Sequence, residues 1–243
     1  RIEDALTVMR ATVERFPDAL EAHTALGDLL RRESRFKEAA AAYDRAIALL
    51  GGDAGPQYWP LFYQRGITLE RSGQWDRAEA DFRKALELEP DQPEVLNYLG
   101  YSWVDRGEKL AEAEEMIRTA VKQRPDDGYI VDSLGWVLFR FGEFEKAAEQ
   151  LGRAVELMPV DPVINDHYGD ALWMIGRKTE ARFQWKRALS FDPEEDDAER
   201  IRAKLEKGLD AVLATEQAEG QPAIIGRKVV KDNVSEKTAQ DGG

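Results

Sequence analysis

Residues 134–159, LGWVLFRFGEFEKAAEQLGRAVELMP, decide how this 243-residue chain is read. The stretch reads as a helix pair: Gly135 and Ala147 are small where the helices touch, Leu151 and Ala154 face the contact, and Pro159 closes the second helix. No residue in it is an obvious catalyst. The same positions recur as Gly66, Ala78, Phe82, Ala85 and Pro90, and as Gly100, Ala113, Ile117, Ala120 and Pro125. They return once more as Gly169, Ala181, Trp185, Ala188 and Pro193, with Pro159 to Pro193 spanning 34 residues. An internal repeat of that period means a solenoid, and solenoids usually bind rather than catalyse.

Small and large residues alternate by role. Gly27, Gly66, Gly100, Gly135 and Gly169 sit midway along the first helix of each unit, and Ala39, Ala78, Ala113, Ala147 and Ala181 begin the second. Close backbone approach there offsets the roughly 1 kcal/mol that glycine costs relative to alanine inside a helix. Leu26, Leu99, Leu134 and Tyr168 before the glycine, with Tyr43, Phe82, Ile117, Leu151 and Trp185 on the second helix, fill the remaining space.

On these positions the chain resembles the tetratricopeptide repeat (TPR) family, up to about Glu195. The resemblance implies an all-α fold: a right-handed α-solenoid of stacked antiparallel helix pairs. A solenoid over 1–214 is expected, with a half-repeat at 1–17 carrying Ala5, Met9 and Pro17. Full repeats follow at about 20–52, 59–92, 93–126, 127–160 and 161–195, with an extra residue near Lys109–Leu110 in the third. Gly51 replaces the closing proline of the first, and a Gly-Gly-Asp-Ala-Gly-Pro connection at 51–56 follows. The segment 196–214, apolar at Ala198, Ile201, Leu205, Leu209, Val212 and Leu213, reads as one capping helix, and 215–243 as a flexible C-terminal tail. Eleven repeat helices plus the cap are expected. Because the chain opens in mid-repeat, it reads as the C-terminal part of a longer protein, with Leu6 and Met9 partly exposed at that edge.

Composition narrows the function. The net charge of −13 repels phosphate backbones, which argues against nucleic acid as a partner. Apolar stretches are short and broken by Gly, Pro and charge, so no transmembrane segment is expected. There are no cysteines, hence no disulfide and no thiolate nucleophile or ligand. The two histidines are His23, which reads as helix packing, and His167, which lies beside Asp166 and Asp170. Neighbours on a helix point about 100° apart, so Asp166 and His167 do not converge as metal ligands would. No metal, no cofactor and no catalytic residue are expected. The chain reads as a non-enzyme.

In the TPR family the first helices line a concave groove, which the resemblance carries onto this chain residue by residue. The groove then holds Tyr63, Gln64 and Ile67 from the second repeat and Asn97, Tyr98 and Tyr101 from the third. The fourth supplies Tyr129, Asp132, Trp136, Phe139 and Arg140, and the fifth Asp166, His167, Asp170 and Trp173. Trp103, Phe82, Trp185, Trp75 and Phe144 are assigned to the core. Aromatics interleaved with carboxylates favour a protein or peptide carrying apolar and basic residues. Thr24, Asp28, Gln64 and Asp132 stand where chaperone-binding members carry a carboxylate clamp, so an acidic C-terminus is a poor ligand. The tail run 223–230, apolar with Arg227 and Lys228, has the expected ligand composition and is a candidate placeholder in the groove.

The strings Leu99-Gly100-Tyr101, Asp132 through Val137, Gly176-Arg177-Lys178 and Glu180-Ala181-Arg182 with Trp185 are similar to the C-terminal repeats of long proteobacterial TPR proteins. Some of those are outer-membrane lipoprotein adaptors for periplasmic carboxyl-terminal processing proteases. That likeness implies a scaffold in the cell envelope, periplasmic or outer-membrane-associated, with a protease among its partners. The alternatives are a cytoplasmic location, a self-assembly module, or a regulatory peptide-sensing domain of a larger protein.

Overall fold

A computed structural model describes residues 2–52, 54–220 and 224–226. Among the described residues the chain is all-α, with thirteen α-helices and no strand. Contacts divide it into two compact units, 1–95 and 96–243.

Unit 1 begins with α1 (Ile2–Arg15) and continues as two antiparallel pairs, α2 (Leu20–Arg32) with α3 (Phe36–Leu49) and α4 (Trp59–Arg71) with α5 (Trp75–Leu88). A Cβ on Gly27 would lie 2.7 Å from the Tyr43 ring, and one on Gly66 2.6 Å from Phe82, so glycine is what lets each pair close. Leu6 on α1 is fully buried with Leu26, Leu30 and Tyr43, contrary to its expected exposure. Its helix packs on α2, and the exposed apolar side chains there are instead Ile2, Val8 and, just beyond the helix, Phe16. Gly51 and Gly52 end α3 at φ of 68° and 91°, where a residue with a side chain is disfavoured. A single 3-10 turn, Pro56–Tyr58, then leads into α4. Arg65 forks onto Asp81 with two bonds of 2.7 Å and reaches Asp44 at 2.9 Å, tying α3, α4 and α5 together.

Unit 2 takes up α6 (Pro93–Arg106) from Leu96 onward, followed by α7 (Leu110–Gln123), α8 (Gly128–Arg140), α9 (Phe144–Leu157), α10 (Pro162–Met174) and α11 (Lys178–Ser190). Asp127 caps α8 through Tyr129 and Ile130, and Asp161 caps α10 through Ile164, each satisfying orphan N–H groups. Gly100 packs on Ile117, Gly135 on Leu151 and Gly169 on Trp185, reproducing the close approach of unit 1. The extra residue of the third repeat places Lys109 at φ 44° just before α7, with its ammonium 4.7 Å from the Trp103 ring centre. Trp103, Phe82 and Trp185 are fully buried as expected, whereas Trp75 and Phe144 are only half-buried.

The C-terminal cover differs from the expected single helix. Two helices stand there, α12 (Glu195–Lys207) and α13 (Leu209–Ala218), so residues 215–218 of the expected tail are helical. Gly208 breaks them apart at φ 86° and ψ 156°, a backbone region essentially restricted to glycine. A side chain there would also meet Trp173 at 2.8 Å.

Candidate functional site

What the first helix carries immediately after its glycine depends on the large residue opposite. In unit 1 the Tyr43 hydroxyl donates to Asp28 at 2.6 Å, and in unit 2 the Trp185 indole donates to Asp170 at 2.9 Å. The partners of Gly100 and Gly135 are Ile117 and Leu151, which have nothing to donate. The equivalent positions on α6 and α8 therefore need no acceptor, and hold Tyr101 and Trp136 instead. Both line a cavity of about 870 Å³ in unit 2.

Asp166 and His167 on α10 supply another part of the wall, and Asp105, Arg140, Arg200 and Ile225 also border it. His167 stacks on Trp136 with ring centres 4.1 Å apart and planes 12° from parallel, and Trp136 stacks in turn on Phe139 at 5.0 Å. Behind this column the Asp132 carboxylate lies 3.0 and 3.1 Å from Nδ1 of His167. Burial disfavours the imidazolium, but Asp132 outweighs it and raises His167 above its ordinary value. Burial, reinforced by Asp132, Asp105 and Asp197, drives the Tyr101 hydroxyl far up, so it stays a neutral donor. The Trp136 indole N–H is shielded and has no hydrogen-bond partner among the described residues.

Of the fifteen groove candidates, the structure brings Tyr101, Trp136, Arg140, Asp166 and His167 to this cavity, with Asp132 behind them. Three others belong to the interior. Phe139 is fully buried between Trp136 and Phe144. Asp170 is fully buried because it accepts from Trp185, Lys204 and Arg200. Trp173 is buried beneath Gly208, tilted against Trp185, with its indole donating to Asp210 at 2.9 Å. The remaining candidates lie away from the cavity. In unit 1, Tyr63 is half-buried between Trp59 and Phe82, its hydroxyl pushed up to about 12 by burial and Glu94. Gln64 beside it has a shielded side-chain oxygen without a hydrogen-bond partner. In unit 2, Asn97 and Tyr98 are half-buried on α6, and the Asn97 oxygen likewise has no hydrogen-bond partner among the described residues.

The reading by repeat misses Lys204 and Arg200. Lys204 is fully buried, and its ammonium shares its three N–H donors among the four oxygens of Asp166 and Asp170, all 2.7–2.8 Å away. Arg200 adds a bond to Asp170 at 3.2 Å and pairs with Glu216 at 2.6 Å. Burial works to raise both carboxyls. The two cations outweigh it at Asp170, which is held below the usual range, while Asp166 remains above it. The Asp166–Asp170 pair is thus held by lysine and arginine, and among the described residues no group of three metal-ligating side chains is poised to bind an ion. The sequence signal was Lys204 itself, three residues after Ile201 on the inward face of α12.

The glycine contacts, the stacked pairs and the period define a tandem helical repeat protein. The chain belongs to the tetratricopeptide repeat family, whose model matches residues 1–58, 63–128, 105–162 and 133–196. Proteins of this family mediate protein–protein interaction and bind protein or peptide partners. A TPR repeat-containing protein of Pseudomonas aeruginosa is 36% identical over 115 residues, which is 47% of this chain and 19% of that protein. Protein O-mannosyl-transferase Tmtc2 of Drosophila melanogaster is 35% identical over 91 residues, covering 37% of this chain and 10% of its own length. The matches therefore span a fifth or less of either relative. Among solved structures, the Cut9–Hcn1 hetero-tetramer of the APC/C superposes with a TM-score of 0.71 at 17% identity, over 83% of this chain and 39% of that one. YrrB, described as a TPR protein with an unusual peptide-binding site, gives 0.54 at 19% identity, over 76% and 93%. At these identities the likeness is one of fold. No helix among the described residues is long and apolar enough to cross a membrane.

Proposed function

We propose that the chain is a non-catalytic scaffold that holds a protein or peptide partner in the unit 2 cavity, against Tyr101, Trp136 and His167. The observation that carries this is the cavity's wall. Stacked aromatics give contact area at small rotamer cost. Asp105 and Asp197 at its border attract lysine or arginine, and Arg106, Arg140 and Arg200 stand at the same border, so the wall suits a partner of mixed charge beside its apolar residues. The finer reading is an adaptor in the cell envelope, periplasmic or outer-membrane-associated, that recruits a protease or another enzyme. It rests on the wording of repeats three to five.

The test is partner capture from the native host by crosslinking, with Tyr101→Ala set against Phe183→Ala on exposed α11 surface. Tyr101→Ala is expected to cost about 1–3 kcal/mol of binding, as interface anchors do, while Phe183→Ala leaves capture intact. The reverse pattern would place recognition on the second helices and end the groove reading. Fractionation of the captured complex decides between envelope and cytoplasm.

A further inference from the structure

Part of the C-terminal segment forms one wall of the cavity. Ile225 lines it, its backbone N–H donates 2.8 Å to the carbonyl of Arg140, and the N–H of Gly226 donates 3.1 Å to the same oxygen. Arg140 ends α8, so that carbonyl is one of the acceptors a helix leaves open at its C-terminus. The Ile225 side chain rests over Gly107 and that of Ile224 beside Gly142, the turn glycines that follow α6 and α8. The segment is thus held by backbone bonds to a helix end and apolar contact over glycine, and any extended peptide with a β-branched or similar apolar residue in that place reproduces both.

We infer that Ile224–Gly226 is a built-in placeholder for the peptide site, and that the external ligand is an extended segment presenting an apolar pair followed by glycine. This rests on the scaffold reading above and adds the regulation of that site. Because recognition runs through the main chain of Arg140, it tolerates variation in the ligand sequence around the apolar pair. A ligand that bonds the Arg140 carbonyl in the same way must displace the segment, so its apparent affinity scales with the fraction of molecules in which that carbonyl is free.

The test uses the full chain and a fluorescein-labelled peptide of residues 221–230, titrated into the wild-type chain and into the chain carrying Ile224→Asp and Ile225→Asp. These substitutions lie outside every helix, and circular dichroism checks that the helices are intact. A placeholder seated in nine of ten molecules makes the doubly substituted chain bind the peptide about tenfold more tightly than wild type. The same peptide with both isoleucines changed to Asp binds neither. Equal affinity for wild type and variant, or no binding to either, overturns the inference. Hydrogen exchange reads it independently: slowed amides at Ile225 and Gly226 support it, and free-peptide rates overturn it. Protection that rises with protein concentration assigns the segment to a second copy and also overturns it. None of these outcomes depends on capture of the host partner by Tyr101, so the placeholder can fail while the scaffold reading stands.

Discussion

Replacing Lys204 with Met removes a charge and keeps nearly the same volume. In the native chain the ammonium is fully buried, 2.7–2.8 Å from all four carboxylate oxygens of Asp166 and Asp170. Removing one partner of a buried ion pair typically costs about 3–5 kcal/mol, because the other charge is left without compensation. Here two carboxylates are stranded, but Arg200 remains 3.2 Å from Asp170 and 3.7 Å from Asp166. We therefore expect a loss near the lower end, about 3 kcal/mol. The assay is urea unfolding of the full chain followed by tryptophan fluorescence, since Trp173 and Trp185 lie beside the pair. The deficit has a pH signature. Without the ammonium, burial raises both carboxyls, and a group whose folded pKa is raised gains stability as pH falls through it. The variant therefore recovers toward wild type on acidification, and Lys204→Met with Asp166→Asn recovers part of the loss at neutral pH. A loss below 1 kcal/mol, or one independent of pH, would refute the idea that this pair holds the C-terminal helices.

Glycine at the helix contacts is open to the same treatment. Gly135→Ala, whose Cβ would lie 2.5 Å from Leu151, is expected to destabilise by about 1–3 kcal/mol through overpacking. Gly152→Ala in α9 meets Tyr168 only at 3.4 Å and should be neutral or stabilising by up to about 1 kcal/mol from helix propensity. Parallel urea titrations measure both, and equal effects would remove the close-approach argument. His167 supplies a pH prediction of opposite sense to acid titration of the carboxylates. Its folded pKa is raised by Asp132 against burial, so its stabilisation is full below the unfolded value and is lost as pH rises through the folded one. Thermal melts should fall from pH 6 toward pH 9 in the wild type and less so with Asp132→Asn; identical slopes would count against the pairing.

The helix pairs were legible because the contact between paired helices is local in sequence and repeats. A glycine, an alanine and a large residue at fixed offsets describe a single geometry, and the structure shows that geometry at Gly27, Gly66, Gly100, Gly135 and Gly169. The groove was less legible, for a physical reason visible at Asp170 and Trp173. Their partners, Lys204 and Asp210, are 34 and 37 residues away on helices outside the repeat, so the period carries no information about them. Asp170 had a nearer clue. An aspartate follows the glycine in the repeats whose second helix offers a donor, Tyr43 or Trp185, which marks it as an internal acceptor. Phe139 illustrates the remaining error: it shares the first helix with Trp136, yet faces Phe144 of its own pair.

The buried lysine also bears on how such an array lengthens. Tandem repeat genes grow by duplicating units, and a new unit can stack wherever the receiving surface is apolar. The surface that α10 presents to α12 is not, because Asp166 and Asp170 must receive a cation. A repeat copied in after Ser190 would bring a neutral helix against two carboxylates unless it carried a lysine at the matching place. Addition at this edge thus requires a coordinated second change, as does an insertion that parts Asp132 from His167 or Asp44 from Arg65. The ion pair acts as punctuation in the gene as much as a fastener in the protein.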